Sequence, residues 1–367
     1  MQIYAFTLNA LIVATMPLTY MQSLAFLEAL SVNRLMFIVN AVNLTQLNVL
    51  TALTIILRWK REGGILEMLT QLLDLECEYF EVSVPASLKR NCAQSFGKAL
   101  LWTKYCSVVV QTCHHIYSFF AFTPSFDSLA WLYCAQTICV NGVLLHTVLH
   151  YFLTMWYVWE RFCWLNAQLR RIFNLLLLLA AKEHHYTPGL RQRLQRRLAQ
   201  ELLDVARVHR RLTVLVERFT NCYHLQILTA LISKVINNIS IGYLSFKYGN
   251  NPNLEEFNAL DLIISTVGFI FIISDSFLLD TLCDRLVNAT RETAEMLKRF
   301  DELPEMDDAV ENACFLLSQQ LRQHQLRISI LGMIDINKRL SFLVFGGLVK
   351  NILLLLQWDI GKQFDEK

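Results

Sequence analysis

Charge is scarce in this sequence. Only 17% of its 367 residues are Asp, Glu, Lys or Arg, whereas 54% are hydrophobic. Soluble domains carry about 25% charged residues, which keep their surfaces hydrated. The shortage of charge therefore argues against a soluble enzyme, and no nucleic-acid partner is expected. The composition instead predicts an all-α polytopic membrane protein, because lipid offers the backbone no hydrogen-bond partners and a spanning segment must satisfy its own.

Motifs that would indicate other chemistry are also missing. His146 and His150 are four positions apart and share a helix face, but two ligands do not make a metal site. The His-rich boxes of a membrane metalloenzyme and the internal repeat of a transporter are absent, so neither a metal nor a cofactor is expected. The ten cysteines lie in apolar stretches or near charged ones and are predicted to be free thiols. The first apolar stretch lacks a basic n-region, which argues against a cleaved signal peptide.

Seven apolar stretches are long enough to cross a bilayer, which requires about 20 residues of helix. They cover residues 3–24, 35–57, 100–122, 129–158, 223–246, 257–283 and 340–357. The sequence therefore predicts one domain, 1–367, with seven transmembrane helices.

The basic residues predict the orientation of these spans. Twenty-seven Lys and Arg fall in the loops after spans two, four and six, among them Lys104. Only Arg34, Lys247, Lys362 and Lys367 fall on the other side. Because cytoplasmic loops are enriched in Lys and Arg, the N-terminus is predicted inside and the C-terminus outside. This is the reverse of a G-protein-coupled receptor.

Two cytoplasmic segments are predicted to be helical. Residues 190–220 repeat apolar side chains at helical spacing and carry arginines on the other face, and residues 306–330 follow Pro304 with acids in the first turn. The two helices are expected to pack together. The basic face is expected to be solvated and close to anionic membrane lipid.

Span six carries three carboxylates, Asp261, Asp275 and Asp280. A charge in a bilayer costs a few kcal/mol unless it faces protein or water. These residues are therefore expected to face inward. One reading is structural, with pairing to a lysine such as Lys234; the other is a functional role.

The last part of the chain carries a recognisable signature. Gly332, Ile336, Asn337 and Leu340 precede the last span, whose hydrophobic residues 352–356 are followed by Gln357 and Trp358. This pattern resembles the C-terminal signature of insect gustatory receptors, in which Thr-Tyr, five hydrophobic residues and Gln-Phe follow a Gly, an apolar-Asn pair and a Leu. The chain departs from it in having Lys350 and Asn351 at the Thr-Tyr positions and Trp358 in place of Phe.

The resemblance implies a gustatory receptor of the plasma membrane. It would be one subunit of a homo- or hetero-tetrameric, ligand-gated, non-selective cation channel, held together by the inner extensions of its last four helices, with small-molecule tastants as ligands. Sugar receptors of the family usually have Glu after Thr-Tyr, so Ile352 favours bitter compounds; a pheromone or internal signal is the next alternative. A metabotropic, G-protein-coupled receptor would carry Asp-Arg-Tyr and Asn-Pro-x-x-Tyr, and neither occurs.

The last span is the expected pore helix. Gln357 and Trp358, with Leu353 and Lys350, are the candidate pore and gate residues. Lys350 and Gln357 are two helical turns apart and project from nearly the same face. Four ammonium groups around a pore would oppose cations, so Lys350 turns to a helix interface or is neutral, the channel is a heteromer, or its conductance is low. We favour the heteromer.

A ligand cavity is expected among the outer halves of the early spans and span six, as in the chemoreceptor channels that this chain resembles. The candidate ligand-binding residues are His115, Tyr117, Phe119, Trp131, Tyr133, His146, Asn238, Asp261 and Ser265. Aromatic side chains with a few polar groups suit small organic ligands. For each aromatic residue, interfacial or core packing is the alternative.

Overall fold

The protein is almost entirely helical. The computed structural model describes residues 2–30, 34–83, 94–122, 128–182, 186–249, 259–304 and 306–365. Within them the chain forms α1 (Gln2–Leu30), α2 (Arg34–Leu75), α3 (Gln94–Phe122), α4 (Ser128–Ala181), α5 (Pro188–Gly249), α6 (Ala259–Lys298), α7 (Asp308–Gln323) and α8 (Lys338–Asp365). A two-stranded hairpin, β1 (Ser329–Ile330) and β2 (Ile334–Asp335), precedes α8. The all-α prediction is confirmed.

Five helical stretches of the described residues are long and apolar enough to cross a membrane. They are Arg34–Phe80, Ala135–Ala181, Pro188–Tyr243, Thr266–Glu302 and Lys338–Gly361. The predicted spans 3–24 and 100–122 lie on α1 and α3, and the predicted span 257–283 begins just outside the described residues. The count of seven and the orientation stay predictions.

The helices are much longer than a bilayer is thick. With 62 residues, α5 is about 93 Å long at 1.5 Å per residue, three times the roughly 30 Å of a hydrocarbon core. The parts of α2, α4, α5 and α6 beyond the predicted spans pack together with α7. We call this bundle the basic half; it comprises residues 58–83, 159–182, 186–222, 284–304 and 306–336.

The largest apolar core of the described residues runs from the adjoining ends of the predicted spans into the basic half. Phe162, Leu165, Leu202 and Phe300 are fully buried there. His209 is also buried, and its ring meets the edge of Phe162 with 5.0 Å between ring centroids. Burial lowers the pKa of His209 to about 4, because the apolar surroundings disfavour the charged imidazolium. The side chain therefore packs as a neutral ring.

Arg161 of α4 joins two helices in this core. Its guanidinium donates two hydrogen bonds to the carboxylate of Glu76, at 2.8 and 2.9 Å, and a third to Glu160 at 2.8 Å. The same group lies 3.6 Å from the ring centroid of Tyr157 and 4.2 Å from that of Trp164. Glu76 begins a π-helical turn, Glu76–Phe80, that continues α2. Arginine suits this place because its planar group can pair with a carboxylate and stack on rings at once.

The predicted helix over 306–330 was too long. The helix α7 ends at Gln323, where His324 leaves the helical region with φ −120° and ψ 71°. The chain then extends, and the carbonyl of Ile328 accepts a hydrogen bond from the amide of Ile336 at 2.9 Å. β-Branched residues and a tight turn follow one another here, and they favour a hairpin over a helix. The side chain of Gln320 donates to the carbonyl of Ala206 at 2.9 Å, so α7 packs against α5 as expected.

We predict that Arg161→Gln lowers the free energy of unfolding by about 3 kcal/mol, because it leaves the mostly buried carboxylate of Glu76 without its counter-charge. Thermal unfolding of the detergent-solubilised protein measures the effect. Arg170→Gln is the matched control, since the ion pair of Arg170 with Glu292 is 54% and 40% exposed and exposed pairs contribute little. Equal losses in the two variants would contradict the prediction.

Candidate functional site

The start of α8 is fixed by a tight turn and a cap. In the turn before β2, the amide of Met333 donates to the carbonyl of Ile330 at 3.1 Å, and Leu331 and Gly332 have φ of 54° and 69°. Glycine adopts this left-handed conformation without a steric penalty. Asn337 then caps the helix, since its Oδ1 accepts the amide of Leu340 at 3.1 Å. The structure thus explains two residues of the C-terminal signature: Gly332 forms the turn and Asn337 caps the helix.

The helix α8 has one packed face and one exposed face. Ser341, Leu348 and Asp359 are buried on the packed face. Lys350 and Gln357 are exposed, and they lie about 180° and 160° around the helix from Ser341 at 100° per residue. The two residues therefore share the side of α8 that faces away from the rest of the chain.

The other two candidate pore residues are also on the surface of the single chain. The side chains of Leu353 and Trp358 are 53% and 49% exposed. Leu353 flanks Lys350 and Gln357 on the outward side of α8, whereas Trp358 lies toward one edge of that side. All four candidate pore residues therefore have side-chain surface on the outside of the chain.

A buried hydrogen bond attaches α8 to α6. The hydroxyl of Ser341 donates to a carboxylate oxygen of Asp280, and both residues are buried. They line a cavity of about 30 Å³ together with Asn238 of α5. The buried Oδ1 of Asn238 has no hydrogen-bond partner among the described residues. This junction of α5, α6 and α8 is the polar attachment point of the candidate pore helix.

A second buried carboxylate joins three helices within the predicted membrane region. Asp275 of α6 accepts a hydrogen bond from Nζ of Lys104 at 2.5 Å through one oxygen, and from Nζ of Lys234 through the other. The side chains of Lys104 and Asp275 have no exposed surface. Lys104 also lies 5.6 Å from the ring centroid of Phe152 on α4. The inward orientation of Asp275 and its pairing with Lys234 are as the structural reading of span six expected.

The placement of Lys104 corrects the sequence analysis, which counted this residue among the loop cations. It lies in the second turn of predicted span three and is fully buried. Composition could not reveal this, because its counter-charge Asp275 is 171 residues away in the sequence. One sequence feature could have indicated this pairing. Lys104 lies inside an apolar stretch, and another apolar stretch contains the carboxylate of Asp275. Ser341 was missed for the same reason, since only the fold brings it to Asp280.

The structure places the predicted ligand residues on several helices. His115 and Tyr117 of α3 are half-buried, and the rings of His115 and His114 are 6.0 Å apart between centroids. Trp131 of α4 is 54% exposed. His146 is exposed, and its Nδ1 is 2.8 Å from the carbonyl oxygen of Gly142.

The remaining candidates are described in part. The side chains of Phe119, Tyr133, Asp261 and Ser265 lie outside the described residues. Asn238 is brought to the small cavity beside α8 and Asp280. The ligand assignment therefore stays a prediction. In the described part of the chain, no cluster of three or more His, Cys, Asp or Glu could hold a metal ion.

These helices, with an apolar surface and charges paired inside, define a polytopic helical membrane protein. The chain shares this fold with the insect olfactory receptor OR5 from Machilis hrabei, at a TM-score of 0.62 and 11% identity over 95% of this chain and 88% of that one. The structure of OR5 in complex with eugenol gives a TM-score of 0.61 with the same coverage.

The sequence comparisons identify the family. The model of the 7tm chemosensory receptor family matches residues 1–362, and the chain belongs to that family. Gustatory receptor 58b of Drosophila melanogaster is 22% identical over 48% of this chain and 42% of its own length, and receptor 59d is 28% identical over 44% and 42%. The chain thus spans less than half the length of these two relatives. Receptor 22b is 23% identical over 91% of the chain and 80% of its own length. Membership confirms a chemosensory receptor rather than an enzyme.

We predict that Asp275→Asn is far more damaging than Lys104→Met. The first change leaves two ammonium groups facing each other without a counter-charge, a loss of about 3–5 kcal/mol for a broken buried pair. The second keeps the pair between Asp275 and Lys234. The amount of folded protein at the cell surface and its thermal unfolding in detergent measure the difference.

The double variant Lys104→Met/Asp275→Asn is expected to lie between the two single variants, because it removes one of the two unpaired cations. Asp301→Asn, on an exposed carboxylate, serves as the control. Asp275→Asn behaving like this control would rule out the triad as a structural link.

Proposed function

We propose that the protein is a gustatory receptor of the plasma membrane and one subunit of a tetrameric, ligand-gated, non-selective cation channel, with bitter small molecules as its ligands. The observation that carries this proposal is the exposed lysine on α8. Lys350 lies in the middle of the predicted span 340–357, it is exposed, and no carboxylate of the described residues pairs with it. A lysine at this depth that faced lipid would cost a few kcal/mol. The outward face of α8 therefore belongs against water or another subunit.

An assembly with rotational symmetry would place the outward face of α8 against water and neighbouring subunits. If four copies assemble with their outward faces toward a common axis, Lys350 and Gln357 line an aqueous path and the apolar remainder of α8 contacts neighbours. Gln357 then forms a polar ring at the outer end of the path. The family membership and the fold shared with an olfactory receptor support a chemosensory role for such an assembly.

Ligand control would act through the attachment of α8 to the bundle. A ligand that binds preferentially to an open arrangement shifts the population toward that arrangement. The hydrogen bond between Ser341 and Asp280 is a direct link from α6 to α8 through which such a shift reaches the pore helix. Small organic ligands are proposed because OR5 has been solved with eugenol and because Ile352 departs from the sugar-receptor pattern.

Lys350 favours a heteromer in which few subunits carry this residue. Four ammonium groups about 10 Å from a permeating cation in water would each oppose it by about 0.4 kcal/mol. We predict that Lys350→Thr raises the cation current of cells that express this chain alone roughly tenfold, recorded while a panel of bitter alkaloids is applied.

Arg339→Thr is the matched control for this measurement, because Arg339 is an exposed cation at the start of the same helix and before the predicted span. Its current is expected to stay at the level of the unchanged protein. Currents and subunit requirements that do not change with Lys350→Thr would show that Lys350 does not face the pore.

The orientation has a test that needs neither ligand nor partner. An epitope tag placed after Lys367 is expected to bind antibody on intact cells, because the basic loops predict an outside C-terminus. A second tag inserted before Met1 should be reached only after permeabilisation. If the C-terminal tag is labelled only in permeabilised cells that carry the protein at their surface, the inside-to-outside topology is wrong and a metabotropic receptor becomes the better explanation.

A further inference from the structure

A cavity of about 500 Å³ lies on the basic half between α2 and α5. Its charged lining consists of Asp74, Glu78, Arg207, Arg210, Arg211 and Arg218. We call this cavity the arginine groove. Four guanidinium groups against two carboxylates give the lining a net charge of +2. The groove contains none of the signature, candidate pore or predicted ligand residues. None of those sites therefore accounts for this cluster of arginines.

The helical spacing of the arginines builds the groove. Arg207, Arg211 and Arg218 are four and seven positions apart, which places them within about 40° of one another around α5. Leu75 of α2 and Leu215 of α5 also line the cavity, so the charged groups surround an apolar base. The arrangement holds several cations along one wall instead of scattering them over the helix.

Two of the four arginines already have acidic partners. Arg211 pairs with Glu78 at 2.8 Å across the groove, and Arg207 pairs with Asp204 at 3.3 Å on its own helix. Arg210 and Arg218 have no carboxylate within ion-pair distance among the described residues. The groove therefore keeps two cations available for an anion from outside the chain, with two more close by.

The volume and the lining of the arginine groove indicate which kind of anion it can bind. Sites for small molecules typically enclose about 300–1,000 Å³, so the groove is too large for a single inorganic anion. Arginine binds phosphate oxygens in a bidentate manner, and several arginines suit a ligand with several phosphates. The lining contains no aromatic side chain on which a nucleotide base would stack. A compact polar ring that carries several phosphates fits these conditions.

The groove begins close to the predicted membrane surface. Arg218 is five residues before the predicted span 223–246, about 8 Å along the helix, and Arg207 is about 24 Å away. A phosphorylated headgroup of a membrane lipid reaches the near end, and a soluble molecule reaches all of it. We propose that the arginine groove binds an inositol polyphosphate group, supplied by a phosphoinositide lipid or by a free inositol phosphate, and that this anion bridges α2 and α5.

The test uses the purified full-length protein and needs no channel current. Inositol hexakisphosphate is the soluble probe, and phosphatidylcholine nanodiscs with phosphatidylinositol bisphosphate are the lipid probe. Matched nanodiscs with phosphatidylserine at equal charge report charge attraction alone. Arg210→Gln/Arg218→Gln removes the two unpaired cations. Arg193→Gln/Arg197→Gln removes the same charge from exposed positions of the same helix.

We expect Arg210→Gln/Arg218→Gln to weaken binding roughly tenfold or more, since hydrogen bonds to charged groups are among the stronger ones. The control pair should stay within about twofold. Asp74→Asn removes a carboxylate from the groove and is expected to tighten binding, an outcome that misfolding cannot produce. Binding of the soluble probe alone identifies a free inositol phosphate as the source, and binding of the lipid probe alone identifies a phosphoinositide. Equal losses in both double variants, equal binding to phosphatidylserine, or no binding of either probe would overturn the proposal.

Discussion

The buried carboxylate of Asp275 joins three helices of the predicted membrane region. An apolar bundle in lipid gains little from the hydrophobic effect between its helices, because lipid tails are as apolar as leucine. A carboxylate that bonds two ammonium groups from two other helices fixes the positions of α3, α5 and α6 at once. None of these charges could be buried alone, since each would carry a desolvation cost of several kcal/mol. The three residues therefore depend on one another, and the helices depend on them.

The same helix α6 carries the second buried carboxylate, which reaches α8. Asp280 lies five positions after Asp275 and accepts the hydroxyl of Ser341. Among the described residues, the hydrogen bond of Ser341, an ion pair between Lys338 and Asp284 and a narrow buried stripe attach the candidate pore helix, while many of its side chains are exposed. The exposed side of α8 is thus open to the contacts with other subunits that the proposed channel requires. In the proposed channel, this division would separate the bundle from a pore helix that can move.

The basic half follows a different principle from the predicted membrane region. Its helices form a continuous apolar core, as in a soluble bundle; the pair of Arg161 with Glu76 is mostly buried in that core, and the pair of Arg211 with Glu78 lies at its surface. Arg161 connects α4 with the end of α2, whereas the arginines of α5 leave a positively charged groove toward α2. The long helices make both regions one unit, because α5 runs from the groove through the predicted membrane without a break. A ligand in the groove would therefore contact the same helix that carries Lys234.

The sequence predicted much of the fold and a smaller part of the site. Hydropathy located the helices, because a spanning segment needs about 20 apolar residues wherever it packs. The C-terminal signature identified the family that the comparisons confirm. The end of α7 at Gln323 differs from the predicted helix 306–330, because the residues after it pair in a hairpin that only the fold forms. Asp275 was recognised as a residue that must face inward, but its second partner Lys104 was not.

The sequence by itself therefore determined the helices, their membrane character, the family, and the helix face that Lys350 and Gln357 share. Those properties follow from local spacing and from the cost of exposing polar groups to lipid. Only the tertiary structure decided which charges meet, which side of α8 is packed, and that four arginines share a cavity with α2. Such contacts join residues far apart in the chain, and their energies depend on distances that no local pattern specifies.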